Sequence, residues 1–204
     1  MEGATDEDRQ SGAGTCNAYR NSDMRACELI GIVGTNGTGK STAVKKIITA
    51  IGGRSLIFTP HDNEWEEYPV NELASAADFK FKGICRHIFP LSETLERTEK
   101  FFFNGSLVFE ELRDYVPATT HFLMRRFLIS RRQHMTDIIF VCHGFSEIPP
   151  AFLTFLSRLI LFRTTDNIER RRRELQQFDR LKQAQERVNE RARIEPYYHE
   201  VIKL

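Results

Sequence analysis

Residues 29–41 read LIGIVGTNGTGKS, and this stretch decides the fold. Its apolar start, residues 29–33, is typical of a buried strand in a parallel sheet. The rest matches the GxxxxGKS/T pattern of a phosphate-binding loop, or P-loop, and consists of Gly34, Thr35, Asn36, Gly37, Thr38, Gly39, Lys40 and Ser41. Apolar residues then recur at helical spacing as far as Ile51, and Gly52 follows as a stop signal. Strand, loop and helix in this order predict an α/β fold.

The P-loop residues have the chemistry of a nucleoside triphosphate site. Glycines allow backbone N–H groups to curl around phosphate oxygens, and the start of the following helix adds partial positive charge. We expect Lys40 to reach the β- and γ-phosphates and Ser41 to offer its hydroxyl to Mg²⁺. Thr42 and residues 34–39 complete the predicted nucleotide-binding set. The cofactors expected from this loop are ATP and Mg²⁺.

Short apolar runs continue along the chain, separated by segments of helix length. The predicted strands after the first are residues 55–59, 83–89, 106–109, 137–142 and 158–162. The predicted crossover helices are residues 91–102 and 119–134, with a shorter one at 149–157. This alternation predicts a mostly parallel sheet with helices on both faces.

Changes in composition divide the chain into three parts. Residues 1–26 are polar and lack an apolar period, so they are expected to form a flexible tail. Residues 27–165 form the predicted ATPase core. Residues 166–204 are predicted to pack on that core, with a long, largely solvated charged helix over 166–193 and a final strand within 197–204. At 204 residues the chain fits one compact unit.

Overall composition excludes several classes of protein. The net charge of +1 gives no general attraction to polyanions, and the 41% hydrophobic content is that of an ordinary globular protein. The four cysteines show neither a CxxC pair nor spacing typical of zinc sites. No apolar run approaches the roughly 18–20 residues that span a bilayer. We expect a soluble cytoplasmic protein without a membrane span.

A second candidate catalytic element follows the strand predicted at residues 106–109. This strand ends in Glu110 and Glu111, the layout of a Walker B strand with its catalytic acid. Glu110 would serve the Mg²⁺ shell, and Glu111 would act on the attacking water as a general base. The alternative is an acidic pair at a surface strand end. Trp65 lies in an acidic segment, where it either packs near an adenine or is buried by its loop.

From residue 30 to about residue 167 the order of features resembles the FtsK/HerA superfamily of P-loop ATPases. The resemblance rests on LVFEE at 107–111, SRRQH at 130–134 and the strand DIIFVCH at 137–143. It is greatest to viral and phage genome-packaging ATPases and Zot-like proteins. It implies a RecA/FtsK-like sheet, and an arginine finger at Arg132 or Arg131 that contacts the nucleotide of an adjacent subunit. It also implies a sensor at His143.

Each role implied by the resemblance has an alternative explanation, and some of the residues differ from the superfamily pattern. Arg131 and Arg132 also suit a basic helix end favoured by the macrodipole, and His143 also suits a structural residue at a strand end. Glu110 stands where the superfamily has Asp, and His143 where it has Gln. Both replacements keep hydrogen-bonding ability, while the Glu reaches one methylene further.

The resemblance implies a homo-oligomeric ring, such as a hexamer, that hydrolyses ATP to move double-stranded DNA. Viral or phage genome packaging is the preferred role, with capsid or virion proteins as partners and the host cytoplasm or the virion as location. The basic run at residues 170–173 either touches DNA phosphates or pairs with acidic neighbours along a helix. Two rivals are a P-loop nucleoside or nucleotide kinase and a non-catalytic nucleotide-binding assembly protein.

Overall fold

A computed structural model describes residues 27–115 and 121–204 as one seven-stranded sheet with helices on both faces. The strands are β1 Leu29–Val33, β2 Arg54–Thr59, β3 Ile84–Ile88, β4 Gly105–Phe109, β5 Thr136–Cys142, β6 Arg158–Phe162 and β7 His199–Lys203. The helices are α1 Lys40–Ile51, α2 Ser92–Phe101, α3 His121–Ser130, α4 Pro150–Phe155 and α5 Phe178–Arg191. The predicted tail, residues 1–26, and the first residues of the helix predicted at 119–134 lie outside the described residues.

The strand order β3-β2-β4-β5-β1-β6-β7 determines which loops meet. The strands β1 to β6 pair in parallel with one another, and β7 runs antiparallel, against β6. Because parallel strands end at the same edge of a sheet, the segments that follow β1, β4 and β5 share one edge. This confirms the mostly parallel P-loop fold predicted from the sequence.

The two faces of the sheet carry separate apolar clusters. One face packs against α1 through Val44 and Ile48. The other face packs against α2, α3, α4 and α5, whose buried residues include Leu95, Phe127 and Leu181. The strands alternate their side chains between these clusters, which is why they read as continuous apolar runs. Among the described residues, α1 is the helix that packs on the first face, and it leaves part of that face near β6 and β7 uncovered.

The prediction of a long helix over residues 166–193 is wrong for the first half of that segment. The chain forms a short 3-10 turn at Ile168–Arg171 and then a turn, and α5 begins only at Phe178. Gln177 directly before it adopts a left-handed conformation with φ of 57°, which a continuous helix cannot contain. The helix is also less solvated than expected, because Phe178, Leu181 and Val188 are buried against the sheet.

Ion pairs along this C-terminal region take up part of its basic charge. Lys182 lies 2.6 Å from Glu169, and Arg187 lies 2.7 Å from Glu200 on β7. Within the described residues, no helix is long and apolar enough to cross a membrane.

Candidate functional site

The P-loop connects β1 to α1 and is held by neighbouring strands. The Gly34 N–H donates to Cys142 O at the end of β5 (3.1 Å), and the Thr35 N–H donates to Arg163 O after β6 (2.9 Å). A Cβ at Gly34 would stand 2.5 Å from the Phe162 Cβ, so only glycine fits there. Gly39 has φ of 98°, a conformation that favours glycine, and it lets the loop turn into α1.

The N-cap of α1 supplies no side chain to the first backbone donors of the helix. Its N-cap is Gly39, and no side-chain cap bond or first-turn acid is present in this helix. The first N–H groups of a helix lack partners within it, so those of Lys40, Ser41 and Thr42 are suited to phosphate oxygens. Asn36 and Gly37 form the exposed tip of the loop.

Lys40 is buried under the loop. Its Nζ donates to Thr35 O at 3.1 Å, and the Thr38 hydroxyl donates to the same carbonyl at 2.7 Å. Burial lowers the pKa of Lys40, while the negative charges of Glu111 and Glu110 act in the opposite direction. An ammonium group at this position in the loop is suited to bind phosphate oxygens.

Glu110 reaches the P-loop although its strand is not the neighbour of β1. Strand β5 lies between β4 and β1, yet Glu110 Oε1 lies 3.4 Å from the Ser41 hydroxyl, which donates to it. The residue is only 3% exposed, and burial raises its pKa to about 7. A hydroxyl and a carboxylate are the hard oxygen ligands that Mg²⁺ prefers. Ser41 and Glu110 are therefore suited to hold this ion together with phosphate oxygens.

Trp65 is a site residue whose role the sequence did not predict. Its buried indole N–H donates to Glu110 Oε2, while the Ser41 hydroxyl donates to the other carboxylate oxygen. The expected burial of Trp65 in its loop is confirmed, since the residue is 4% exposed. The contact with Glu110 depends on the path of the loop, for which the sequence carries no periodic signal.

The loop that carries Trp65 is fixed from both sides. The guanidinium of Arg86 on β3 donates to the backbone carbonyls of Asp62 and Glu64. Lys45 on α1 places its Nζ 5.1 Å from the centre of the Trp65 ring and pairs with Glu67. Residues 60–68 thus form a strap between the edge of the sheet and α1, and the strap holds Trp65 against Glu110.

Glu111 and His143, which are separated in sequence, meet at the same edge. Glu111 Oε2 lies 2.8 Å from His143 Nε2, and both side chains are partly exposed. The His143 backbone N–H donates to Glu147 Oε2 at 2.8 Å, which fixes the end of β5. A partly exposed carboxylate bonded to an imidazole, close to Lys40, has the composition of a site that activates water.

The two arginines proposed as the finger differ in exposure and in their hydrogen bonds. Arg131 is 7% exposed, and its guanidinium donates to the carbonyls of Cys27 and Leu128. Arg131 is therefore less suited than Arg132 to act as the finger, because its side chain is bonded to the chain's own backbone. Arg132 is exposed and stays a candidate.

Arg132 cannot reach the P-loop of its own chain. It precedes β5, so it lies at the amino edge of the sheet, whereas the P-loop lies at the carboxyl edge. The seven residues of β5 separate these edges by about 23 Å at roughly 3.3 Å per residue. Any contact of Arg132 with a nucleotide must be made in another copy of the chain.

The fold is similar to that of solved viral ATPases. The DNA-packaging ATPase B204 of Sulfolobus turreted icosahedral virus superposes with a TM-score of 0.61 at 13% identity, covering 74% of this chain and 83% of that one. The genome-packaging NTPase B204 of Sulfolobus turreted icosahedral virus 2, in complex with sulfate, gives a TM-score of 0.61 at 17% identity, covering 81% and 86%.

The same protein in complex with AMPPCP gives a TM-score of 0.59 at 14% identity, covering 86% of this chain and 97% of that one. No family model and no curated protein matches the sequence. The resemblance predicted from the sequence is thus confirmed at the level of the fold, which this chain shares with viral genome-packaging ATPases.

Proposed function

We propose that this chain is an ATPase that moves double-stranded DNA as a homo-oligomeric ring, in the manner of a viral genome-packaging motor. The observation that carries the proposal is the meeting of Lys40, Ser41, Glu110 and Glu111 at one edge of the sheet. The 3.4 Å contact between Ser41 and Glu110 joins the P-loop to the acidic strand end across an intervening strand. Such an arrangement is suited to phosphoryl transfer to water.

Each residue at this edge has a separate task in the proposed reaction. The α1 N-terminus and Lys40 bind and orient the phosphates, and Ser41 with Glu110 hold Mg²⁺. The ion supplies positive charge that offsets the charge of the phosphate oxygens. Glu111 accepts a proton from the attacking water, and His143, 2.8 Å away, orients that carboxylate.

The ring and the DNA are inferred from the fold and from the placement of charge. The fold neighbours are described as DNA-packaging and genome-packaging enzymes. Arg132 is exposed at the edge opposite the P-loop, which suits head-to-tail packing in which one copy completes the site of the next. A closed ring, for instance a hexamer, satisfies this geometry. We place the protein in the host cytoplasm or the virion, with capsid proteins as further partners.

Basic side chains near the carboxyl edge suit a phosphate backbone. Arg170, Arg172 and Arg173 are exposed, and Arg172 has an acidic neighbour, with Glu169 at 3.6 Å. Arg171 is tied to the fold by bonds to Glu174 and to Ser146 O. We therefore assign DNA contact to Arg170 and Arg173 in preference to the whole run.

The test is ATP hydrolysis by the purified protein, with and without double-stranded DNA, over a protein concentration series at low salt. We expect DNA to stimulate turnover, and specific activity to rise with concentration because sites form between subunits. A nucleoside or nucleotide kinase would instead need a phosphate acceptor and show constant specific activity. A non-catalytic assembly protein would retain its function in Glu111→Gln.

A further inference from the structure

A pocket of about 520 Å³ opens beside the P-loop, on the part of the sheet that α1 leaves uncovered. Thr42 and Lys46 of α1 line one side, and aromatic rings of Phe162, Tyr197 and His199 line the other. The volume falls within the range of about 300–1,000 Å³ that is usual for small-molecule sites. The residues that line the pocket are not part of the hydrolytic site, except for those at the start of α1, which both sites share.

The pocket is continuous with the P-loop. A Cβ placed on Gly39 would lie 3.3 Å from Tyr197 Cδ1 and 3.7 Å from Phe162 Cε1. The Tyr197 ring therefore stands at contact distance from the residue that precedes Lys40. A molecule whose phosphates occupy the P-loop has this pocket directly beside it.

The pocket and the proposed Mg²⁺ site lie on different faces of α1. Successive helical residues point about 100° apart, so Ser41 and Thr42 face different ways. Ser41 faces Glu110, whereas Thr42 and Lys46, one helical turn apart, face the pocket. If the terminal phosphates and Mg²⁺ bind on the Ser41 face of α1, the nucleoside end of the nucleotide lies toward the Thr42 face.

The far wall of the pocket is aromatic and accessible. Tyr197 is 68% exposed although its ring is large and mostly apolar. The rings of Phe162 and His199 lie 4.7 Å apart at an angle of 30° and so pack on each other. Phe162 is buried, which leaves Tyr197 and His199 as the accessible rings of this wall. Nucleobases stack on such rings, and the stacking uses a ring face that every base has.

We propose that this pocket holds the ribose and purine base of the bound nucleotide, with Tyr197 as the stacking side chain. The inference rests on the proposed function, because it takes phosphate binding at the P-loop as given. Trp65, the aromatic residue that the sequence suggested for an adenine, is buried against Glu110 and cannot serve.

The pocket should accept nucleoside triphosphates with either purine base rather than adenine alone. At its aromatic end, the Nδ1 of His199 already pairs with Tyr197 O at 3.1 Å, which leaves Nε2 for a base edge. Binding by stacking discriminates weakly between bases, whereas strong discrimination requires a set of bonds to the base edge. We expect ATP and GTP to bind within about tenfold of each other.

The test is calorimetric titration with inorganic tripolyphosphate, ATP and GTP in the presence of Mg²⁺. Tyr197→Ala should weaken ATP binding about 5- to 150-fold, the effect of losing one base–aromatic stack, and leave tripolyphosphate binding unchanged. Tyr197→Phe keeps the ring and should bind ATP as the wild type does. Ile194→Ala, at an 86% exposed position outside the pocket, is the matched control and should change neither ligand.

The ligands separate failure of this inference from failure of the proposed function. A wild-type protein that binds neither tripolyphosphate nor ATP would overturn the phosphate site and everything built on it. Normal tripolyphosphate binding, with ATP affinity unchanged in Tyr197→Ala, would overturn the base site alone. A preference for ATP over GTP of a hundredfold or more would contradict the assignment to purines in general.

Discussion

The bond between Trp65 and Glu110 gives the sharpest test of the site as described. Trp65→Phe retains an aromatic ring but removes the indole N–H that donates to Glu110 Oε2. The carboxylate is 3% exposed, so water cannot easily replace the lost donor. Hydrogen bonds to charged groups contribute about 1.5–3 kcal/mol, and we expect the pair to stabilise the fold by about 2 kcal/mol at a pH above the Glu110 pKa of about 7, where the carboxylate is charged.

A double-mutant cycle isolates this energy from the loss of ring packing. The variants are Trp65→Phe, Glu110→Ala and the double variant, each unfolded with urea in the absence of Mg²⁺. The signal is far-UV circular dichroism, because Trp65 is the single tryptophan of the sequence and its fluorescence is lost. The free energies of unfolding should deviate from additivity by about 2 kcal/mol.

The melting temperature gives an independent measurement of the coupling between Trp65 and Glu110. For a chain of this size, about 1 kcal/mol corresponds to roughly 2–4 °C, so the coupling should appear as about 4–8 °C. A coupling below about 0.5 kcal/mol is within the additivity expected of independent sites. That result would refute the claim that the strap holds Glu110 in place.

The other predictions concern turnover and the two arginines. Lys40→Ala should weaken tripolyphosphate binding about 10- to 100-fold, as judged by calorimetry, because a charge-assisted bond is lost; unaltered binding would contradict the phosphate role. Glu111→Gln should bind ATP normally and hydrolyse it about 10²- to 10⁴-fold more slowly, as measured by phosphate release; normal turnover would show that Glu111 is not the base. Arg132→Ala should keep its stability but lose about 10³-fold in turnover, with partial rescue in mixtures with Glu111→Gln subunits. Arg131→Ala should instead lower the free energy of unfolding by about 2–3 kcal/mol, since two backbone carbonyls lose their donor; a stable Arg131→Ala protein that cannot hydrolyse ATP would restore Arg131 as the finger.

The sequence predicted the strands and the P-loop closely because both have strong local signals. Each predicted strand after the first overlaps the observed one, with differences of at most two residues at either end. Apolar runs bounded by turn residues identify buried parallel strands, and the loop pattern is specific. The acidic pair after β4 was also found, since it directly follows such a run.

The sequence could not predict features that depend on three-dimensional neighbours. Periodicity does not give strand order, so the position of β5 between β4 and β1 was not foreseen. Arg131 and Arg132 are adjacent and chemically identical, and only the packing of α3 decides which of them turns inward. The left-handed Gln177 interrupts a charged segment that contains no glycine or proline to mark the break.

The glutamate at position 110 and the strap at residues 60–68 are structurally linked through the bond between Trp65 and Glu110. The resemblance to FtsK/HerA ATPases predicts an aspartate at this position, and the glutamate present is longer by one methylene. In the structure the carboxylate must contact both the Ser41 hydroxyl and the Trp65 indole, which approach different oxygens. A side chain one methylene shorter would draw back from both partners, whereas an unrestrained glutamate would lose conformational freedom on binding a metal ion. Because Trp65 orders Glu110 through a bond within the chain itself, the extra length need not weaken the proposed Mg²⁺ site.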